Sequence, residues 1–401
     1  MTLLARATAA AALSMMTIAP AARADTVKIG LIASFTGGMA IYGSQFQQAI
    51  AAYQALHGAT LKGPKGEPIT VEIVTRDAGS GGPAKVKQMA EELVVRDHVK
   101  FLAGFDLSPH AMAAADIANE AKVPVIIMNA ATSSITRLSP YFVRLSFTVP
   151  QNVKPLAGWA YKQGMRKVFT VVSDFAPGYD AESYFAKSFK EQGGDIIGAV
   201  RTPLSEMNFA VYLEKVLEAK PDALFMFEPG GASAIAFLKA YNERGLKAAG
   251  IKLMGTGETE AIYLKDFNDD VIGTITAFPY TESNTRPQNT ALKQQLAKMF
   301  GPGAGPDVAS AGAWDGMDLI YKALAARGAN ASGDQYVEVM KGQKIESPRG
   351  PIMIDPETRD IVQNVYIRRV ERQNGELTNV DIDTAPMVKD PWKIDNPPKG
   401  N

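Results

Sequence analysis

The sequence has 401 residues, 46% of them hydrophobic, with 42 basic side chains balanced by 42 acidic ones and no cysteine. That length exceeds what one hydrophobic core usually serves, so two domains are expected, and the cancelled charge leaves no long-range field to draw in nucleic acid or anionic lipid. Without cysteine, disulfides, thiolate nucleophiles and zinc–thiolate centres are excluded.

The first 24 residues differ from the rest: Arg6 precedes an Ala-rich apolar run to Ala19, then Pro20 and Ala22-Arg23-Ala24. The pattern reads as a secretory signal peptide cleaved after Ala24, since the run is shorter than the roughly 20 apolar residues a bilayer needs. An exported, soluble protein starting at Asp25 is expected.

From Val27 strands and helices alternate. Strands are read at Val27–Ala33, Ile69–Thr75, Val99–Ala103 and Val123–Met128. A helix begins near Gln45, where Phe46, Ala49, Ile50 and Tyr53 make one apolar face. Another covers Ala84–Val95, and Ser108-Pro109 opens a third with Ser108 as N-cap and Pro109 at the first helical position.

After "SPYFVRLSFTVPQN" the alternation restarts, with strands at Lys167–Ser173, Ala223–Phe227, Ile251–Met254 and Val271–Phe278. Helices end at Gln163 and cover Ala181–Gln192 and Ala232–Arg244, the last two followed by glycine. Thr290–Met299, Val308–Ala326 and Asp334–Lys341 look helical, and "GPIMIDPETRD" with "NVYIRRVERQNGEL" forms a hairpin turning at Asp355–Arg359. The proline-rich tail "APMVKDPWKIDNPPKGN" is expected to wrap a surface or fray. Such alternation predicts an α/β protein of two similar halves, each a parallel sheet flanked by helices.

Catalytic motifs are weak. "GSGGPA" (79–84) fits G-x-G-x-x-A between a strand and a helix, with Asp106 as a possible ribose-binding acid, so an NAD-dependent oxidoreductase is the rival class. Pro83 removes an amide from that would-be phosphate cradle, and the loop "FTGGMAIYG" lacks a P-loop lysine. His57, His98 and His110 share no metal-ligand spacing, and no H-E-x-x-H, G-x-S-x-G or paired-acid motif occurs. Glu228 and Glu258 follow apolar strands and are candidate cleft acids.

A stronger signal is positional. "FTGGMAIYG", "GFDLSPH", "NAATSS", "SDFAPGYD", "EPGG" and "GTGETE" all follow the carboxyl end of an expected strand, the edge at which open α/β sheets bind ligands. In these loops, and in the ordered pattern "FLAGFDLSPHAMAAADIANEAKVPVIIMNAATS", the chain resembles the periplasmic solute-binding proteins of branched-chain amino-acid ABC importers, the leucine/isoleucine/valine-binding family.

The resemblance, from "VKIGLIASFTGGMAIYG" through "GPIMIDPETRD", implies the type I periplasmic binding fold. One lobe would comprise 25–146 and 278–348, the other 147–277 and 349–401, joined by three hinge crossings around a central ligand. It implies carboxylate binding at Ser108, Ala130 and Thr132, with Tyr42 packing on the ligand's apolar part, and Asn129 and Phe105 in the same loops. In the other lobe it points to Phe175, Pro229, Tyr179 and Glu258, with Tyr179 matching only with a one-residue shift and Glu258 only after another shift, so an ammonium anchor is not well matched.

Phe35, Tyr42, Phe105, Phe175, Tyr179 and Phe227 near the cleft suggest a flat ligand between rings. The expected ligand is an aromatic carboxylate such as a hydroxybenzoate or phenylpropenoate; a branched-chain or other aliphatic amino acid is the alternative. The Thr36-Gly37-Gly38 turn is expected to let backbone approach that carboxylate. Neither cofactor nor metal is implied, and the expected partner is an inner-membrane ABC permease engaging a monomer in the periplasm.

Overall fold

A computed structural model describes residues 24–79 and 81–397. The signal-peptide reading, apart from Ala24, lies outside the described residues, as do Ser80 of "GSGGPA" and residues 398–401. Among the described residues no helix is long and apolar enough to cross a membrane.

Two sheets organise the chain. The first contains β1 (Asp25–Ala33), β2 (Thr60–Lys62), β3 (Pro68–Asp77), β4 (Phe101–Gly104), β5 (Val125–Ile127) and β6 (Phe142–Arg144), in the order β2-β3-β1-β4-β5-β6. Only the short edge strand β2 is antiparallel to its neighbour; β1 runs parallel to both β3 and β4, and β4, β5 and β6 continue parallel. Strands β1, β4 and β5 are near-continuous apolar runs because helices cover both faces.

The second sheet is built from β7 (Lys167–Ser173), β8 (Asp195–Thr202), β9 (Ala223–Phe227), β10 (Lys252–Gly255) and β11 (Ile275–Phe278). To these it adds β12 (Lys344–Ser347), β13 (Gly350–Ile354), β14 (Ile361–Gln373) and β15 (Glu376–Val388). Its order is β12-β13-β14-β11-β10-β9-β7-β8, with β15 also on β14. The strands from β7 to β11 are parallel, whereas β11 to β15 pair antiparallel. The α/β class with helix-flanked, largely parallel sheets is therefore the class of this chain.

The last third of the chain returns to the first sheet. Leu292 and Leu296 of helix Pro287–Phe300, Trp314 and Ile320 of helix Val308–Arg327, and Val337 of helix Gly333–Met340 share a core with Ile29, Phe101 and Ile126. Ile345 and Ile352 join that same core although β12 and β13 hydrogen-bond into the second sheet. Residues 348–349 are the turn of the β12–β13 hairpin, which hydrogen-bonds in the second sheet and packs on the core of the first.

Two fully buried arginines fix the crossings. Arg144 donates to Asp360 Oδ1 (2.7 Å) and to the carbonyls of Ala130 (2.8 Å), Thr132 (2.7 Å) and Phe147 (3.1 Å). Arg349 donates to the carbonyls of Ser146 (2.8 Å) and Leu145 (3.0 Å) and pairs with Asp315 at 3.1 Å. Strand-like backbone that leaves one sheet without a partner has its carbonyls satisfied by these guanidinium forks.

Several readings of the chain need correction, among them the helix read at Ala181–Gln192, which spans Ala176–Glu191, and the strand read at Val271–Phe278, which spans Ile275–Phe278. The first helix spans Ala40–His57, beginning five residues before Gln45. Residues 376–388, including the start of the proline-rich tail, form strand β15, and Pro391–Asp395 is a short helix; the strand was missed because its side chains are mostly exposed on a sheet edge. Ser108 is the first residue of helix Ser108–Ala113 rather than its cap, which is Leu107.

Candidate functional site

In both sheets the strand order reverses direction at one place: between β1 and β4 in the first, and between β7 and β9 in the second. Loops leaving adjacent strands there diverge to opposite faces and open a crevice at the carboxyl edge. The two crevices face each other, and a cavity of about 620 Å³, its open mouth included, lies between them. The first-sheet wall is made by Met39 and Tyr42 after β1, Asp106 to Ser108 after β4, and Asn129 to Ala131 after β5. The second-sheet wall is made by Phe175 and Pro177 after β7, Glu228 to Gly230 after β9, and Thr256, Gly257 and Glu260 after β10. Phe147 and Phe278 close the back, where the chain crosses between the sheets.

The two walls repeat one device. Helix Ala40–His57 packs against the end of β1 so closely that a Cβ on Gly43 would overlap the Ser34 carbonyl, and in helix Ala176–Glu191 a Cβ on Gly178 would overlap the Ser173 carbonyl. Those contacts bring Tyr42 and Pro177, the residues just before each glycine, to the cavity.

Ser108 has a defined polarity. Its Oγ, 2% exposed, accepts the amides of Ala131 (3.2 Å) and Thr132 (3.1 Å). A hydroxyl oxygen has two lone pairs. With both engaged, the Ser108 O–H is left as a donor available to the cavity that the residue lines.

The acids at the cavity are held by protein donors or shifted toward the neutral form. Asp106 binds His110 Nδ1 at 3.0 Å and the Ser34 amide at 3.3 Å. Burial works against the His110 imidazolium, but the hydrogen bond and charge of Asp106 outweigh it and raise its pKa. Glu228 is hydrogen-bonded by Ser173, by Thr202 (2.9 Å) and by Ser233 (3.2 Å), yet burial pushes it up to about 7. Glu260 is raised well above its ordinary value by burial and the neighbouring Asp307, against the pull of Arg368. Among the described residues no lysine or arginine lines the cavity.

The apolar walls are aromatic. Phe175 and Phe227 lie 6.2 Å apart at 33°, and Phe147 and Phe278 meet edge to face at 5.0 Å. Among the described residues no three His, Asp or Glu side chains converge as a metal-ligand set.

Of the expected site residues, Tyr42, Ser108, Asn129, Ala130, Phe175 and Pro229 are brought together in the cavity wall, with Asp106, Phe227 and Glu228. Four are not. Phe105 follows Gly104 in a left-handed turn (φ +64°) that sends its ring into the first core, fully buried. Thr132 is not in the cavity wall, and it serves the site through its amide, which donates to Ser108. Tyr179 is 42% exposed on the outer side of its helix, bonded to Asp174 (2.8 Å) beneath the Arg201 guanidinium. Glu258 turns inward to accept the amides of Thr256 and Glu228.

The Thr36-Gly37-Gly38 turn also stays out of the wall. It is tied to the chain's own Asp77, whose carboxylate accepts the Phe35 amide (2.8 Å) and the Thr36 hydroxyl (2.7 Å). Phe35 packs on the first core. In "GSGGPA" the Gly81 carbonyl faces His110 Nε2 at 3.1 Å, and Gly82, Pro83 and Ala84 are exposed.

Sequence reasoning missed Met39, Phe147, Pro177, Glu260 and Phe278. For two of them a signal was present: Phe147 and Phe278 are each the first residue past an expected lobe boundary. An aromatic at a chain crossing is placed by topology at the floor of the cleft.

The model of the periplasmic binding protein family matches residues 26–376. The chain belongs to that family. The Leu/Ile/Val-binding protein homolog 6 of Brucella melitensis biotype 1 is 40% identical over 375 residues, covering 93% of this chain and 95% of that protein. An R. palustris ABC-transporter solute-binding protein solved with 4-hydroxybenzoate is 41% identical, with a TM-score of 0.88 over 92% of this chain and 100% of that one. A solute-binding protein of Rhodopseudomonas palustris BisB5 solved with 3,4-dihydroxybenzoic acid is 43% identical, with a TM-score of 0.86 over 92% and 99% of the two chains. Periplasmic binding proteins of ABC transporters are extracytoplasmic solute carriers rather than enzymes.

Proposed function

We propose that this periplasmic binding protein captures an aromatic carboxylate, a hydroxybenzoate or a close analogue, and delivers it to an ABC permease in the inner membrane. The observation that carries the reading is the Ser108 hydroxyl, left as a donor available to a cavity walled by Tyr42, Phe147, Phe175, Phe227 and Phe278. A ring stacks between aromatic walls, while the carboxylate takes the hydroxyl and the positive end of helix Ala176–Glu191. Anion binding without a basic residue is tolerable because Asp106 is paired with His110, and Glu228 and Glu260 are shifted toward the neutral form. The same shifts disfavour the ammonium of an amino acid, which needs an ionised partner. The aromatic acids bound by the two R. palustris proteins point the same way.

In this reading residues 25–146 with 278–348 and residues 147–277 with 349–401 are two lobes that hinge closed on the ligand. Ligand contacts are assigned to Tyr42, Ser108, Asn129, Ala130, Phe175 and Pro229, with no catalytic residue. The chain would be exported with cleavage after Ala24 and act as a monomer.

The test is calorimetric titration of residues 25–401 with 4-hydroxybenzoate, cinnamate, leucine, valine and NAD. Saturable binding of the aromatic acids alone supports the reading. Tight binding of leucine or valine, with none of the aromatic acids, overturns it in favour of the amino-acid alternative, and NAD binding would revive the oxidoreductase class.

A further inference from the structure

Four acids, Asp106, Glu228, Glu258 and Glu260, stand in or directly behind the cavity wall, and three are engaged by the protein. Asp106 holds His110 and the Ser34 amide, Glu228 holds three hydroxyls, and Glu258 holds two amides. Glu260 differs. It is 4% exposed, lines the cavity, and its Oε2 is buried with no hydrogen-bond partner among the described residues.

Its position is built rather than incidental. Gly257 leaves room for it, since a Cβ there would stand 3.0 Å from Glu260 Oε1 and 3.0 Å from the Phe278 ring. Two tyrosine hydroxyls converge nearby, Tyr42 and Tyr263, at 2.5 Å and 3.2 Å from where a Cβ on Gly230 would stand. Buried polar atoms are rarely left unpaired, and one facing a ligand cavity is completed by the ligand.

We propose that Glu260 is the specificity-determining residue of this cavity, its carboxyl pairing with a hydroxyl on the ring of the bound acid, opposite the carboxylate. This rests on the aromatic-acid reading and adds to it a choice among such acids. The ligand's carboxylate goes to Ser108 on the first-sheet wall, the donor side. Its other end then meets the second-sheet wall, where Glu260 stands. Burial, with Asp307 and Glu258 close by, raises the carboxyl toward its neutral form, although Arg368 opposes this. A neutral carboxyl and a phenol each offer one donor and one acceptor, so the two pair reciprocally. A site built to bond a hydroxyl rejects the analogue lacking it far more strongly than an apolar pocket rejects a size change.

The experiment is titration of 4-hydroxybenzoate and benzoate into the wild-type mature chain and into Glu260→Leu, with Glu260→Ala as a second variant in case leucine disturbs folding. The wild type is expected to prefer 4-hydroxybenzoate by at least about tenfold. In either variant that preference should fall to within about twofold while benzoate affinity is retained. A variant that keeps the wild-type preference, or loses both ligands equally, overturns the assignment. Equal wild-type affinity for the two acids overturns the hydroxyl role alone and leaves aromatic-acid binding standing; a wild type that binds neither removes both.

Discussion

Ser108 commits both lone pairs to the Ala131 and Thr132 amides, so one side chain both orders the loop after β5 and presents a donor to the cavity. Ser108→Ala removes a donor to a charged group, and the expected loss is about tenfold or more in aromatic-acid affinity. Calorimetry reads it directly; an unchanged Kd would take Ser108 out of the site. Acid shifts make a second prediction at this scale. Glu228 and Glu258 are pushed from the ordinary 4.5 up to about 7 by burial, so the folded protein keeps protons that the unfolded chain has lost between those values. Stability contributed this way is present below about 4.5, declines as pH rises through about 7, and changes little above it. Glu258→Gln, which cannot titrate and keeps an acceptor oxygen for one of the two amides, should flatten part of the fall in melting temperature between pH 5 and pH 8. An identical slope in wild type and variant would show that Glu258 does not carry the proton.

Between elements, the decisive contacts are glycines that admit a neighbour. Gly230 sits where a Cβ would meet the Tyr42 hydroxyl at 2.5 Å and the Tyr263 ring at 2.9 Å, so the wall after β9 touches the first helix only because this residue has no side chain. Gly230→Ala should therefore weaken ligand binding by roughly tenfold, with an overpacking cost to stability of about 1–3 kcal/mol. Titration beside thermal melting separates the two effects, and full affinity in the variant would argue against a close Tyr42–Gly230 approach in the bound state. The elements themselves were unequally legible. Strands β7 and β9 were read to the residue because each is a short apolar run flanked by turn residues. Strands β8 and β15 were not, because they lie at edges with half-exposed or exposed side chains and little alternation. Their pairing is fixed by β7 and β14, which a local pattern does not reveal.

At the scale of the molecule, several hydrogen bonds already join the two parts beside the cavity, among them the Ser133 amide to Asp180 at 3.2 Å and the Ile262 amide to Asp307 at 3.3 Å. Each joins an element of one sheet to an element of the other. A ligand that fills the cavity adds to them and favours the closed arrangement by its differential affinity. Small-angle scattering should show a smaller radius of gyration when 4-hydroxybenzoate is added, and Asp180→Ala should make the ligand-free protein more open. No change in either measurement would mean that the cleft does not hinge. Breaking the Arg144–Asp360 pair is the corresponding stability test. Both partners are buried, so Arg144→Ala is expected to cost about 3–5 kcal/mol in denaturant unfolding.

What the sequence determined by itself was the alternation of strand and helix, the family, and the loops at the carboxyl ends of strands that form the cavity. Those features depend on short-range pattern, on period and turn chemistry, and on one order of motifs. Which residue of each loop faces the ligand was decided by the tertiary structure. Phe105 and Ser108 share a loop, yet a left-handed turn buries one ring in the core while two amides from 23 and 24 residues away aim the other side chain at the cavity. Glu258 and Glu260 share another, and the first turns inward to amides whereas the second is left facing the space between the sheets. Side-chain direction follows local φ and distant hydrogen-bond partners together, and only the folded chain brings the two into register.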